Sequence, residues 1–210
     1  MALFLSSTLV AFTTFFVIVD PIGTSAAGAG LTHGMPTATA HRIYLRAVAT
    51  AFSILLFFGL LGQIILHFAG ISLPAFRVAG GILLFATGFR MLFGQHGQTT
   101  LDSEKPAVVL NPGHISVYPL AIPLMSGPGC ITALLLLTAE AQTRPDLAAV
   151  WSGLILVLLI TLGLFFTARR MMAVLGEGIV QVIIRVMGLL LAAMAVQFIT
   201  DGLKALFVAG

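Results

Sequence analysis

Charged side chains are scarce in this sequence. Asp, Glu, Lys and Arg make up only 8% of its 210 residues, whereas a soluble domain carries about 25%. Hydrophobic residues make up 59%, and the mean hydropathy is +1.12. So few charges cannot cover the surface of a 22.1 kDa globule, so the apolar excess has to face hydrocarbon. The composition excludes an ordinary soluble protein and indicates an all-α polytopic protein whose surroundings are the lipid bilayer.

Cysteine and clusters of basic residues are also lacking. Cys130 is the only cysteine, which excludes an intrachain disulfide, a C-x-x-C redox pair and a thiolate metal cage. The net charge is only +3, and the single basic pair, Arg169 and Arg170, argues against nucleic acid as a partner. The five histidines show no metal-ligand spacing. We therefore predict neither a metal nor a cofactor.

Long apolar stretches predict the membrane spans, since a bilayer core of about 30 Å needs a helix of about 20 residues. Six stretches qualify: Ala2 to Val19, Ile43 to Phe68, Ile71 to Phe93, Ile115 to Thr138, Leu147 to Ala168 and Ile179 to Thr200. No Lys or Arg precedes the first stretch, so we expect a permanent helix there rather than a cleaved signal peptide.

The basic residues predict the orientation of these spans. With the N-terminus outside, the inner loops contain Arg42, Arg46, Arg90, Lys105, Arg169 and Arg170. The outer segments contain only Arg144 and Lys204. Because Lys and Arg collect on the cytoplasmic side, both termini are predicted to face the periplasm or the outside.

The chain carries an internal repeat at an offset of 108 residues. Arg77-Val78 with Gly80 matches Arg185-Val186 with Gly188. Residues 1–94 and 114–210 are therefore predicted to be two three-span units, and residues 95–113 a cytoplasmic loop between them. Because three spans reverse the direction of the chain, the second unit is inverted, an arrangement typical of secondary transporters. A duplication that merely built a stable bundle is the alternative.

Each unit also carries a helix-breaking signature in its first span. Asp20 can cap a new helix whose first residue is Pro21. In span four, Ser126 or Gly127 can cap a helix that begins at Pro128. We therefore predict broken helices in spans one and four. Their N-termini leave backbone N–H groups without partners inside the membrane, and two of them converging near the midplane favour a carboxylate.

Small and polar residues surround both breaks and form the predicted solute site. These residues are Asp20, Pro21, Gly23, Thr24, Ser25, Ser126, Gly127, Pro128, Gly129 and Thr132. The carboxylate of Asp20 could also carry a proton or bind Na⁺, because ionisable groups inside membranes are functional by default. Capping of the half-helix explains Asp20 equally well.

Other polar and small residues receive structural interpretations. Arg77 and Arg185 are interpreted mainly as anchors that snorkel to the membrane surface. Four glycines are interpreted as sites of close helix approach: Gly80, Gly81, Gly88 and Gly188. An enzyme is not predicted, because Ser25 and Thr132 have only His33 as a nearby basic candidate.

Three motifs in order resemble the MarC family of bacterial inner-membrane proteins over essentially the whole chain. They are Asp20-Pro21-x-Gly23, the segment from Ala75 to Phe85, and the segment from Pro119 to Gly129. The family is grouped with the LysE-type exporters, and some relatives are described as transporters of glycine and alanine. The resemblance implies a bacterial inner membrane location and a site at Asp20 to Gly23 and Ser126 to Gly129. Many relatives carry Asn at the position of Asp20, which weakens proton transfer as a family mechanism.

The leading hypothesis is a secondary transporter of small neutral amino acids, or similar small zwitterions, by alternating access. The alternatives are an exporter of another small metabolite and an ion-conducting route. An intramembrane enzyme or a purely structural membrane protein carries less weight. The sequence leaves open the substrate, the coupling ion (H⁺ or Na⁺), the direction of transport and whether the chain forms a homo-oligomer.

Overall fold

The computed structural model describes residues 2–94 and 112–208, and every regular element in these ranges is helical. In chain order the elements are α1 (Ala2–Val19), α2 (Pro21–Leu31), α3 (Thr37–Phe68), α4 (Leu73–Leu92), α5 (Pro112–Ile115), a π-type segment (Ser116–Met125), α6 (Pro128–Glu140) and α7 (Arg144–Val208). The predicted loop 95–113 lies outside the described residues except for Pro112 and Gly113, which begin α5.

Five helical stretches are long and apolar enough to cross a membrane. They are Phe4–Leu31, Thr37–Phe68, Leu73–Leu92, Arg144–Gly176 and Gly178–Phe207. A bent pair, Gly113–Met125 and Pro128–Glu140, meets at 52° and makes a sixth candidate if it is counted as one span. Large apolar side chains such as Leu60 (64% exposed) and Leu159 (57% exposed) cover the outside of the bundle. The class of an all-helical membrane protein is confirmed.

The last two of the five stretches, Arg144–Gly176 and Gly178–Phe207, are two arms of α7 that meet at Gly176. The predicted inner loop after Ala168 is helical, because Arg169 and Arg170 are good helix formers and nothing there interrupts the backbone. The helix breaks only at Gly176, whose φ of +72° suits glycine and few other residues. We call Arg144–Gly176 the N arm and Gly178–Phe207 the C arm.

Helix α4 and the C arm pack closely in opposite directions. A Cβ atom added to Gly81 would lie 2.9 Å from the carbonyl oxygen of Ala195, and one added to Gly88 would lie 2.7 Å from that of Gly188. One added to Gly202 would lie 2.9 Å from the carbonyl oxygen of Pro74. As the residue numbers increase along α4, the numbers of their contact residues in the C arm decrease, so the two helices are antiparallel. They also confirm that Gly81, Gly88 and Gly188 permit close helix approach.

Helices α1 and α2 run parallel to the N arm. The hydroxyls of Thr8 and Ser152 lie 3.4 Å apart near the beginning of both. Near their other end, the Arg169 guanidinium donates to the carbonyl oxygens of Thr32 and Met35, each at 3.0 Å. Arg169 thus supplies donors to carbonyls at and just beyond the end of α2.

Helix α3 runs antiparallel to the N arm and parallel to α6. The Tyr44 ring stacks on Phe165 at 4.6 Å near the beginning of α3, and Gly59 faces Trp151 near its end. Gly59 also faces Leu134 of α6. The largest buried side chains fill the space between these helices, among them Phe15, Leu55, Leu134, Leu154 and Phe165.

Candidate functional site

The first helix break is at Asp20, between α1 and α2. A residue before proline is disfavoured in the right-handed helical conformation, and Asp20 takes the left-handed one, with φ 44° and ψ 73°. Its carboxylate caps α2 by accepting the N–H of Gly23 at 3.2 Å. The hydroxyl of Thr24 donates to the carbonyl of Val19 at 2.7 Å. Pro21 is the first helical residue, so the predicted cap and helix start are confirmed.

The second break separates the π-type segment from α6. Tyr118 and Ile122 have extended backbones inside this segment, and each is followed by a cis proline. Gly127 is the cap and Pro128 the first residue of α6. Ser126 is not the cap, because its hydroxyl donates to the carbonyl of Ala121 at 2.9 Å. The α6 N-terminus therefore lacks a side-chain cap.

One cavity of about 260 Å³ lies against both breaks. Its lining residues are Ile18, Val19, Asp20, Thr24, Leu83, Leu84, Ala86, Thr87, Arg90, Met91, Pro119, Pro123, Leu124, Gly127, Pro128, Gly129 and Cys130. Its volume is just below the range of about 300–1,000 Å³ typical of ligand pockets, which suits a small solute. The first turns of α2 and α6 thus converge on a shared space.

Half of the predicted site residues line this cavity. They are Asp20, Thr24, Gly127, Pro128 and Gly129. Asp20 and Thr24 are 2% and 1% exposed, so the protein encloses them almost completely. A Cβ atom on Gly129 would lie 2.2 Å from a methyl group of Leu84. The absence of a side chain at Gly129 therefore lets Leu84 of α4 pack against the first turn of α6.

The other five predicted residues do not line it. They are Pro21, Gly23, Ser25, Ser126 and Thr132. The hydroxyl of Ser25 donates to Ile22 at 2.9 Å, and that of Thr132 donates to Pro128 at 2.9 Å. Thr132 packs against Gly80 of α4. The hydroxyls of Ser25, Ser126 and Thr132 therefore bond to backbone carbonyls close by in the sequence. Solute binding by any of the ten residues stays a prediction.

Sequence reasoning did not identify the α4 wall of the cavity. Leu83, Thr87 and Arg90 recur at intervals of four and three residues and therefore share one helix face. The sequence predicts Arg90 to be a basic residue at the inner end of the third span and does not place it in the solute site. An arginine on the same face as a threonine in an apolar helix is the signal that could have found this wall.

An ion pair joins the beginning of α4 to the end of α6. Arg77 lies 2.9 Å from the carboxylate of Glu140, and the side chains are 25% and 54% exposed. The Arg77 guanidinium also lies 5.8 Å from the ring centre of Phe198 in the C arm. The cavity extends towards the other end of α4, at Arg90 and Met91. Arg77 is thus an inter-helix contact as well as a residue at a span end.

The comparisons with known proteins agree on a family. A model of the MarC family of integral membrane proteins matches residues 5–207. A UPF0056 membrane protein of Pyrococcus horikoshii is 36% identical over 95% of each chain. The UPF0056 membrane protein YhcE of Escherichia coli is 32% identical over 93% of this chain and 91% of its own. The Bacillus subtilis protein YvbG is 33% identical over 93% of both chains. No solved structure is significantly similar to this chain.

Proposed function

The chain belongs to the MarC family of integral membrane proteins, and we propose that it is a secondary transporter of small neutral amino acids or similar small zwitterions. The observation that carries the proposal is a cavity that touches both helix breaks, lined by Asp20 and Thr24 on one side and by Gly127, Pro128 and Gly129 on the other. Broken helices around a shared site are typical of such transporters.

Six alternating spans in two inverted units are part of the proposal. The packing directions support them: α1 and α2 run with the N arm, while α4 runs against the C arm. Helix α3 runs against the N arm and with α6. Alternating crossings give these four relative directions if residues 112–140 cross once. The proposed location is a bacterial inner membrane with both termini outside.

The size and polarity of the cavity support a small zwitterionic solute. Its lining is mostly apolar, and the polar groups are few and concentrated at the breaks and near the end of α4. The carboxylate of Asp20 already occupies the α2 N-terminus by accepting the Gly23 N–H. The α6 N-terminus has no such side chain and can receive a solute anion.

Alternating access is supported by the asymmetry of the cavity. At the repeat offset of 108 residues, Leu84 and Arg90 correspond to Ala192 and Phe198. Leu84 and Arg90 line the cavity, but their counterparts in the C arm do not. The cavity extends along α4, the third span of the first unit, and not along the C arm, the third span of the second unit. This asymmetry fits a state that is open to one side of the membrane. If the two units exchanged roles, the cavity would open to the other side.

Solute flux tests the proposal directly. Purified protein in liposomes should take up radiolabelled glycine or L-alanine in a saturable manner, with protein-free liposomes as the control. Uptake indistinguishable from that control across a broad panel of amino acids would overturn the proposal. Counterflow from preloaded vesicles adds a measurement that needs no ion gradient, so an unknown coupling ion does not obscure the result.

An ion-conducting route is the alternative that the buried carboxylate of Asp20 favours. Asp20→Asn separates the two functions, because an amide oxygen can still accept the Gly23 N–H and cap α2 about as well. The transporter should keep its solute flux within about threefold if Asp20 acts as a cap. An ion route predicts current without any organic solute, and Asp20→Asn should abolish that current.

Breaking the Arg77–Glu140 ion pair should favour the state in which the cavity opens at the Arg77 end of α4 instead of the Arg90 end. Partly exposed ion pairs contribute about 0.2–1 kcal/mol, so we expect Glu140→Gln to change the ratio of the two states by about 1.4- to fivefold. Cys130, the only cysteine, lines the cavity and reports this ratio. Its reaction with an impermeant thiol reagent, applied to each side of oriented vesicles, measures access from that side.

The charge-swapped pair Arg77→Glu with Glu140→Arg should restore the original labelling ratio. Asp201→Asn is the matched control, because Asp201 accepts hydrogen bonds from Gln197 in its own helix. Equal labelling ratios in Glu140→Gln and the unmodified protein would show that the pair does not hold this end closed.

A further inference from the structure

We propose that Arg90 binds the carboxylate of the transported solute and thereby makes the cavity selective for solutes that carry one. The inference deepens the proposed transport function and rests on it. Among residues 2–94 and 112–208, the charged side chains that line the cavity are Asp20 and Arg90. They have opposite signs, and because the Asp20 carboxylate caps α2, Arg90 is the charged group left to contact a solute carboxylate.

The guanidinium of Arg90 is available to a solute. Within residues 2–94 and 112–208 the ion pair that forms is Arg77 with Glu140, and Arg90 has no carboxylate within 4.0 Å there. No hydrogen bond joins it to another described side chain or backbone group. Arg77 and Arg169 differ in this respect, because the first pairs with a carboxylate and the second with two carbonyl oxygens.

The position of Arg90 on α4 suits a contact at the far end of the cavity from the breaks. Leu84, which packs against Gly129 of the α6 break, is six residues earlier, or about 9 Å along the helix axis. Thr87 lines the wall between them. A solute that lies between the breaks and the end of α4 is therefore within less than two helical turns of Arg90.

Arginine also has the appropriate chemistry. Its planar guanidinium can donate two parallel hydrogen bonds to one carboxylate, which lysine cannot do. Leu83 and Met91 line the same wall as Arg90, so apolar surface adjoins such a contact. Charge-assisted bonds are stronger in this environment than in bulk water.

The α6 N-terminus is the competing site for the carboxylate, and Arg90→Gln distinguishes the two. The experiment measures uptake of radiolabelled glycine by proteoliposomes containing the full chain, with unlabelled L-alanine or glycinamide as competitor. Glycinamide keeps the ammonium group but lacks the carboxylate. In the unmodified protein we expect glycinamide to compete at least about tenfold less well than L-alanine.

Arg90→Gln should raise the half-saturating glycine concentration by about tenfold or more and remove most of the discrimination against glycinamide. Arg90→Lys should give an intermediate value, because it keeps the charge but not the paired hydrogen bonds. Arg46→Gln is the matched control: Arg46 is another exposed arginine predicted on the inner side, and it does not line the cavity.

The outcomes separate this inference from the transport function. Glycine uptake with the same half-saturation and the same discrimination in Arg90→Gln overturns the role of Arg90 and leaves the transporter proposal intact. No uptake by the unmodified protein overturns both. If Arg90→Gln does not accumulate in the membrane, Arg90→Lys gives the result, and unchanged half-saturation and discrimination in that variant overturn the paired contact.

Discussion

Replacing Gly129 with leucine is expected to reduce solute flux at least about tenfold, because the new side chain occupies the cavity where the two breaks meet. Even a Cβ atom at this position would lie 2.2 Å from a methyl carbon of Leu84 and 2.7 Å from its Cγ. Leu84 is itself part of the cavity wall and 2% exposed. The enlarged side chain therefore has no direction in which to extend except into the cavity or against α4.

Two measurements check this result. The first is glycine uptake by proteoliposomes. The second is the rate at which a small thiol reagent modifies Cys130, the neighbouring residue in the cavity wall. This second measurement does not require the substrate to be known. Both should fall in Gly129→Leu, whereas Gly129→Ala should give a smaller decrease, because rotation of the Leu84 side chain can accommodate one methyl group.

Gly163→Leu is the matched control for Gly129→Leu. A Cβ atom at Gly163 of the N arm would have nothing within 4 Å, so leucine there should extend outwards from the helix bundle. Flux and Cys130 labelling should stay at the level of the unmodified protein. If Gly129→Leu keeps full flux while its Cys130 reacts as before, solute does not pass between the two breaks.

The helices of this fold could be predicted well from the sequence, because a membrane helix requires a long stretch of apolar residues. Apolar length identified the helices, and the Asp-Pro and Gly-Pro dipeptides located both breaks, since proline at a first helical position and a cap before it are local signals. Span ends were less predictable. The helix continues past Arg169 and Arg170 to Gly176, because the backbone can stay helical in water as well as in lipid.

The site was harder to predict, because its walls come from helices distant in sequence. Asp20 and Gly129 could be assigned from their local motifs. Ser25, Ser126 and Thr132 looked equally suitable, but their hydroxyls bond to backbone carbonyls close by in the sequence and lie outside the cavity lining. The position of Arg90 in the cavity wall depends on how α4 is rotated about its own axis. Contacts of glycines with the C arm, such as that of Gly81 with Ala195, determine this rotation.

Those glycine contacts lead to the second large effect, on stability. Gly88→Leu is expected to lower the free energy of unfolding by about 3 kcal/mol or more, at or above the upper end of the usual cost of overpacking. A Cβ atom at Gly88 would lie 2.7 Å from the carbonyl oxygen of Gly188 and 2.9 Å from the amide nitrogen of Ala192. Both are backbone atoms, so no side-chain rotation can relieve the contact and α4 has to move away from the C arm.

Unfolding of the purified protein in mixed detergent micelles, followed by circular dichroism, measures this loss. Gly188→Leu should have an effect of similar size, because a Cβ atom there would lie 2.9 Å from the carbonyl oxygen of Gly88 and 2.7 Å from the Cβ of Met91. Gly163→Leu serves again as the control. It adds the same side chain in a membrane-spanning helix with nothing within 4 Å of its Cβ, so its stability should change by less than about 0.5 kcal/mol. If Gly88→Leu were as stable as Gly163→Leu, the backbones of α4 and the C arm could not be in contact. The rotation of α4 that brings Arg90 to the cavity would then be wrong as well, because the same packing determines both.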